Sequence, residues 1–189
     1  MTVPHTTTVS AIRPLVHHRA IAVVLGALLV AIGAQVALPL PGNPIPITLQ
    51  VPAVLIVGGL LGPRFGAASL VLYLVMGVAG LPVFAPVGVP GAARLMGPTG
   101  GYLLAYPLAA GLVGLLVVRG RSWGRIAVAV LAGLVTIHAG GVAHLMVLGG
   151  NASEALRLGS LPFLVNDLLK LAFAALIIQR FGPKTQALH

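Results

Sequence analysis

Apolar residues fill this chain in six long runs, at about residues 20–38, 47–62, 66–83, 101–118, 126–148 and 161–179, and polar residues gather almost wholly between them. A helix of ~20 residues rising ~1.5 Å each covers the ~30 Å hydrocarbon core of a bilayer, so the pattern predicts six membrane-spanning helices. The first run, "AIAVVLGALLVAIGAQVAL", is longer than the ~7–15-residue apolar core of a cleaved signal peptide and reads as a retained helix. Pro52 falls near the start of the second, where a missing N–H is tolerated, and Pro107 falls inside the fourth as a candidate kink.

The connections are of two kinds. "GPR" and "RGRSWGR" are short and basic, whereas "PLPGNPIPI", "FAPVGVPGAARLMGPTG" and "GGNASEALRLGS" are longer and rich in proline and glycine. With the N-terminus in the cytoplasm, Arg13, Arg19, Arg64, Arg119, Arg121, Arg125, Arg180 and Lys184 lie inside, against Arg94 and Arg157 outside. Loop cations favour the cytoplasmic side, so both termini are expected there, residues 1–19 forming a cytoplasmic segment. The loop from Phe84 to Gly100 is too rich in Gly and Pro for a regular helix, yet Arg94 is its only charge. Irregular apolar backbone at a membrane belongs where it packs on protein or lines a cavity, so this loop is expected to cap the outer mouth of the bundle.

Composition narrows the function. The chain is 58% hydrophobic and 7% charged, with a mean hydropathy of +1.08, which marks an all-α integral membrane protein, 1–189 forming one membrane domain. A net charge of +9 would suggest nucleic acid in a soluble protein, but no soluble domain exists here to carry a basic face. With no cysteine there is no disulfide, thiolate nucleophile or Cys-ligated metal. HExxH, GxSxG and paired carboxylates are missing, and His138 and His144, six residues apart on a helix, diverge too far to share a metal, so neither catalysis nor a metal or cofactor is expected. Without GxxxxGK[ST] the chain is not expected to hydrolyse ATP, so uphill transport would need energy from a partner.

Only two acids occur, Glu154 and Asp167, and Asp167 lies inside the last apolar run with Lys170 three residues on. At i, i+3 the two share a helix face. Counted from Leu161, they lie about 9 and 13 Å below the outer end, in the outer half of the membrane. Such a pair either fixes helix packing or forms a ligand site. Intramembrane ionisable groups face the bundle interior and mark substrate sites, which favours the second. Gln50, Tyr73, Arg94 and Tyr102 are expected toward the same side, giving donors and acceptors around an apolar cavity. Ala22, Gly26, Ala27 and Ala31 in the first run are small residues at helical spacing, suited equally to a docking partner or to tight internal packing.

"PIPITLQ", "GGLLGPRFGAASLVLYLVMGVAGLPVF", "GPTGGY" and "LPFLVNDLLKLAFAAL" together, in this order and spacing, resemble the BioY family, the biotin-binding S components of energy-coupling factor transporters. The resemblance covers nearly all the chain beyond residue 20. It implies a six-helix S-component fold in the cell's inner (plasma) membrane, binding biotin from outside and working with a transmembrane coupling protein and a pair of ATPases. It carries binding roles onto Gln50, Asp167 and Lys170, and onto Arg94 in the lid, with Phe84 available to cover the thioether ring. An S component for another small vitamin, a self-sufficient biotin facilitator and an intramembrane enzyme are the rival readings.

Overall fold

The computed structural model describes residues 12–149 and 151–185; residues 1–11 of the expected N-terminal segment lie outside the described residues. Helix α1 (Ile12–Gln35) leads into an antiparallel hairpin, β1 (Ala37–Leu40) and β2 (Asn43–Thr48). Then follow α2 (Gln50–Val78), the short α3 (Ala93–Met96), α4 (Gly100–Val118), α5 (Trp123–Gly149), α6 (Ala152–Gly159), a 3-10 turn (Leu161–Phe163) and α7 (Leu164–Thr185). Among the described residues, five helical stretches are long and apolar enough to cross a membrane, α2 counted once and Ala152–Gly182 as one.

Helix α2 is in fact a bent pair. Gly62 adopts φ 75° and ψ −178°, with Pro63 next, and the helix turns back on itself there. Only glycine reaches that backbone conformation without strain. A straight helix would hold Gln50 and Tyr73 about 35 Å apart, yet Gln50 Nε2 donates to the Tyr73 hydroxyl at 2.6 Å. The arms 50–61 and 63–78 therefore run side by side, and they correspond to the second and third predicted runs. The described residues form six helical legs.

Several boundaries move. The first helix ends at Gln35, so 36–38 leave it, and 47–48 belong to β2. The expectation of an all-α chain is corrected to a mostly helical one with a single hairpin, in register Ala37↔Thr48, Leu38↔Ile47 and Leu40↔Asn43. The hairpin turns at Gly42, whose φ is 75°. Leu161–Phe163 form a 3-10 turn before the last helix rather than its first turn. Helix α4 runs unbroken through Pro107.

The stripe of small residues on α1 points inward in large part. Gly26, Ala27 and Ala31 are buried, and Ala22 is half-buried. A Cβ on Gly26 would lie 2.5 Å from the Ser69 hydroxyl. Of the two uses open from sequence, the structure shows internal packing against the second arm of α2, and the docking-face reading is withdrawn. The outward faces carry large apolar side chains instead, such as Ile32, Leu108 and Leu169, about 70% exposed. Water would not tolerate a belt of this kind around a whole protein, whereas lipid does.

The two ends of the bundle differ. At one end lie the Gly62 elbow, Arg19 stacked on Phe65, and Arg121 against Gly182. At the other the hairpin is tied to α6 by Asn43 Nδ2 donating to the Leu158 carbonyl at 2.8 Å. Gln35 at the end of α1 donates to the Phe84 carbonyl of the 79–99 segment. The hairpin, the 79–99 segment and α6 thus gather at the end away from the cationic connections.

Candidate ligand pocket

The last helix explains how two ions come to lie inside. Phe163, Asp167, Lys170, Ala174 and Ile178 are spaced by three or four residues and all are buried, Asp167 to 2% exposure. Their neighbours Val165, Leu168 and Leu169 lie on the outward face. The apolar stripe that binds this helix to the bundle therefore contains the ion pair toward its N-terminal end.

Asp167 uses both oxygens. Lys170 Nζ donates to Oδ1 at 3.0 Å, and His138 Nε2, from α5, lies 2.8 Å from Oδ2. A carboxylate accepts, so this contact sets a proton on Nε2. The ring's Nδ1 lies 3.3 Å from the Gly159 carbonyl, which accepts from the Tyr102 hydroxyl at 2.5 Å. Lys170 keeps two of its three donors unspent on Asp167.

A second polar group stands at the junction of β2 and α2. The Thr48 hydroxyl donates to Gln50 Oε1 at 3.2 Å, while Gln50 Nε2 holds Tyr73. Tyr73 meets Phe84 edge to face, ring centroids 5.5 Å apart. The 79–99 segment is held from within: the Arg94 guanidinium donates to the carbonyls of Ala85 and Val87. Its Nε is buried without a hydrogen-bond partner. Burial lowers the pKa of this guanidinium, but arginine starts so high that it stays a cation. Among the described residues it makes no ion pair.

These groups line one cavity, about 610 Å³ with the open solvent at its mouth included. Gln50, Phe84, Arg94, Tyr102, Asp167 and Lys170 all line it. Tyr73 does not: it is fully buried behind Gln50. Apolar walls come from Val51, Leu103, Tyr106, Ile137 and Phe163.

Sequence reasoning missed His138, which lines the cavity and grips Asp167. Its spacing to His144 bears only on a shared metal, whereas its partner lies 29 residues on, in another helix. The one available signal was an imidazole in an otherwise apolar run. His144 lies elsewhere, against Gly100 and Gly101 at the start of α4.

Residues 5–187 match the sequence profile of the BioY family. The chain is 40% identical over 152 residues to "Biotin transporter BioY" of Thermotoga maritima, covering 80% of this chain and 88% of that protein. It is 38% identical over 157 residues to "Probable biotin transporter BioY" of Pyrococcus horikoshii, covering 83% and 91%. Its fold is similar to a solved structure described as the S-component for biotin from an ECF-type ABC transporter. That likeness has a TM-score of 0.76 at 26% identity and covers 93% of this chain and 94% of the other.

Proposed function

Because the chain belongs to the BioY family, we propose that it is the biotin-binding subunit of a biotin importer, taking biotin into the cavity at the looped end. The observation that carries the reading is one largely apolar pocket whose few polar groups match biotin's own. Biotin offers two ureido N–H donors, one ureido carbonyl, a thioether ring and a carboxylate on an aliphatic tail. Asp167 accepts from the ureido N–H groups, and the free donors of Lys170 meet the ureido carbonyl. Gln50 hydrogen-bonds alongside, with Tyr73 fixing its amide from behind. Phe84, Phe163 and Ile137 surround the thioether ring, and Tyr102 closes the wall beside His138.

The tail carboxylate goes to Arg94. Lys170 is already matched by Asp167, whereas Arg94 faces no acid and has donors to spare: two backbone contacts out of five N–H groups, with Nε unpaired. The ligand would then complete a guanidinium that already holds the lid loop, linking occupancy to loop order.

The looped end faces outward and both termini lie in the cytoplasm, a reading supported by Arg19, Arg64, Arg119, Arg121 and Arg125 at the opposite end. The chain sits in the cell's inner membrane and hands biotin to a transmembrane coupling protein driven by an ATPase pair; the description of the similar structure as a component of an ECF-type ABC transporter supports the need for such partners.

Radiolabelled biotin binding to the purified, detergent-solubilised chain tests this directly. Saturable binding displaced by unlabelled biotin, and not by riboflavin or thiamine, is the expected result. Displacement by another vitamin at lower concentration than biotin would overturn the ligand. Vesicles holding this chain alone should take up no biotin against a gradient; accumulation without ATPase partners would make it a self-sufficient carrier.

A further inference from the structure

We propose that His138 is a positioning residue for ligand binding: it holds the Asp167 carboxylate off full pairing with Lys170 and so keeps both groups open to the ligand. This rests on the reading that Asp167 contacts ligand. A carboxylate whose sole partner is a flexible ammonium three residues away on the same helix has every reason to close on it, in surroundings where water offers no competition. The result would be a mutually satisfied pair with little left for a third party. His138 opposes that closure from another helix. Its Nε2 takes Oδ2 at 2.8 Å while Lys170 takes Oδ1 at 3.0 Å, so the carboxylate is spread between two donors on different elements.

The imidazole is itself immobilised. Tyr102 meets it edge to face at 6.3 Å, and Phe163 packs at 6.4 Å. The ionisable groups facing it are Asp167 and Lys170 from α7 and Tyr102 from α4. A ring packed against two aromatic side chains, contacting the carboxylate through Nε2, gives Asp167 one orientation before ligand arrives. Such preorganisation raises affinity by removing the cost of ordering the group at binding. Because each oxygen retains an open lone-pair direction, the contact leaves the acceptor usable.

The test is a double-mutant cycle on the full purified chain, with biotin affinity and melting temperature both measured. H138F keeps a ring without the donor, H138N keeps an amide too short for the 2.8 Å contact, and H138Q keeps a donor that reaches. We expect H138F and H138N each to weaken biotin binding about tenfold, the worth of one buried charge-assisted hydrogen bond. H138Q should recover most of the loss. In a D167N background H138F should cost less than about twofold further, because residues acting through one group are not additive. Parent-like affinity in H138F or H138N overturns the proposal, as does a loss in H138Q equal to theirs that follows melting temperature. A full further tenfold loss on top of D167N overturns it too. D167N binding like the parent removes the site reading as well, whereas D167N weak with H138F and H138N unaffected removes only the role of His138.

Discussion

The chain spends its only two acids in the same local pattern, a base three residues beyond each, and puts them in opposite surroundings. On α6, Glu154 and Arg157 meet at 2.6 Å with side chains 48% and 66% exposed. On α7, Asp167 and Lys170 meet at 3.0 Å with side chains 2% and 7% exposed. The first is the shorter contact and the less consequential. It lies at the surface, with an acid in the first turn and a base in the last, which suits the helix dipole and asks nothing of the rest of the fold. The second lies in a low-dielectric wall, recruits a third group from α5 and borders a cavity. Spacing makes an ion pair; surroundings decide whether it can bind something.

That contrast can be broken most forcibly at Asp167 and Lys170 together. If the pair served packing alone, D167N/K170M would recover what each single change loses, since an uncharged pair of similar volume costs little while one unpaired buried charge costs several kcal/mol. We expect the double variant to stay as weak in biotin binding as the poorer single one, at a melting temperature close to the parent's. Next in size, D167N and K170M alone should each weaken affinity roughly ten- to a hundredfold, the worth of a desolvated charged hydrogen bond. Isothermal titration in detergent reads both.

A smaller effect sharpens the assignment of charges. R94M should weaken biotin by about tenfold, while biotin amide, which lacks the carboxylate, should lose less than about threefold. Equal losses for the two ligands would move the tail away from Arg94. Last comes the exposed pair: E154Q and R157Q should leave biotin affinity and melting temperature where they were. A clear loss of affinity in either would show that α6 takes part in the site and that exposure had misled.

Much of this was legible because a helix repeats. The inward stripe 163, 167, 170, 174, 178 follows from 3.6-residue periodicity, and the fourth leg was read to within one residue of Gly100–Val118. The Gly/Pro-rich loop around Arg94 was legible as lid-like because its composition denies it a helix while its apolarity denies it water. What escaped has the opposite character. The hairpin carries Pro39, Pro44 and Pro46, which give no ladder donor and argue against strands; it forms because two short edges and a Gly42 turn suffice at the rim. His138 escaped because a contact across 29 residues leaves no local spacing to read. The use of the small residues on α1 could not be decided from sequence, since a second helix of the same chain and a helix of a partner ask for the same surface.

The elbow at Gly62 bears on how the protein enters its membrane. The arm 50–61 is about 18 Å long, well short of the ~30 Å it must help to traverse. On its own it offers a poor stop for an emerging chain. Joined at the elbow to the arm 63–78, and tied by a hydrogen bond from Gln50 to Tyr73 at the far end, it becomes part of a ready-made wedge. We expect the two arms to partition into lipid together, after Tyr73 has been synthesised. Glycosylation-site mapping of nascent chains of increasing length would show this: arrest at Gly62 should leave the first arm uninserted, and arrest beyond Val78 should find both arms in place. Insertion of the first arm alone would mean that biogenesis proceeds leg by leg, with the pocket's Gln50 placed before its partner exists.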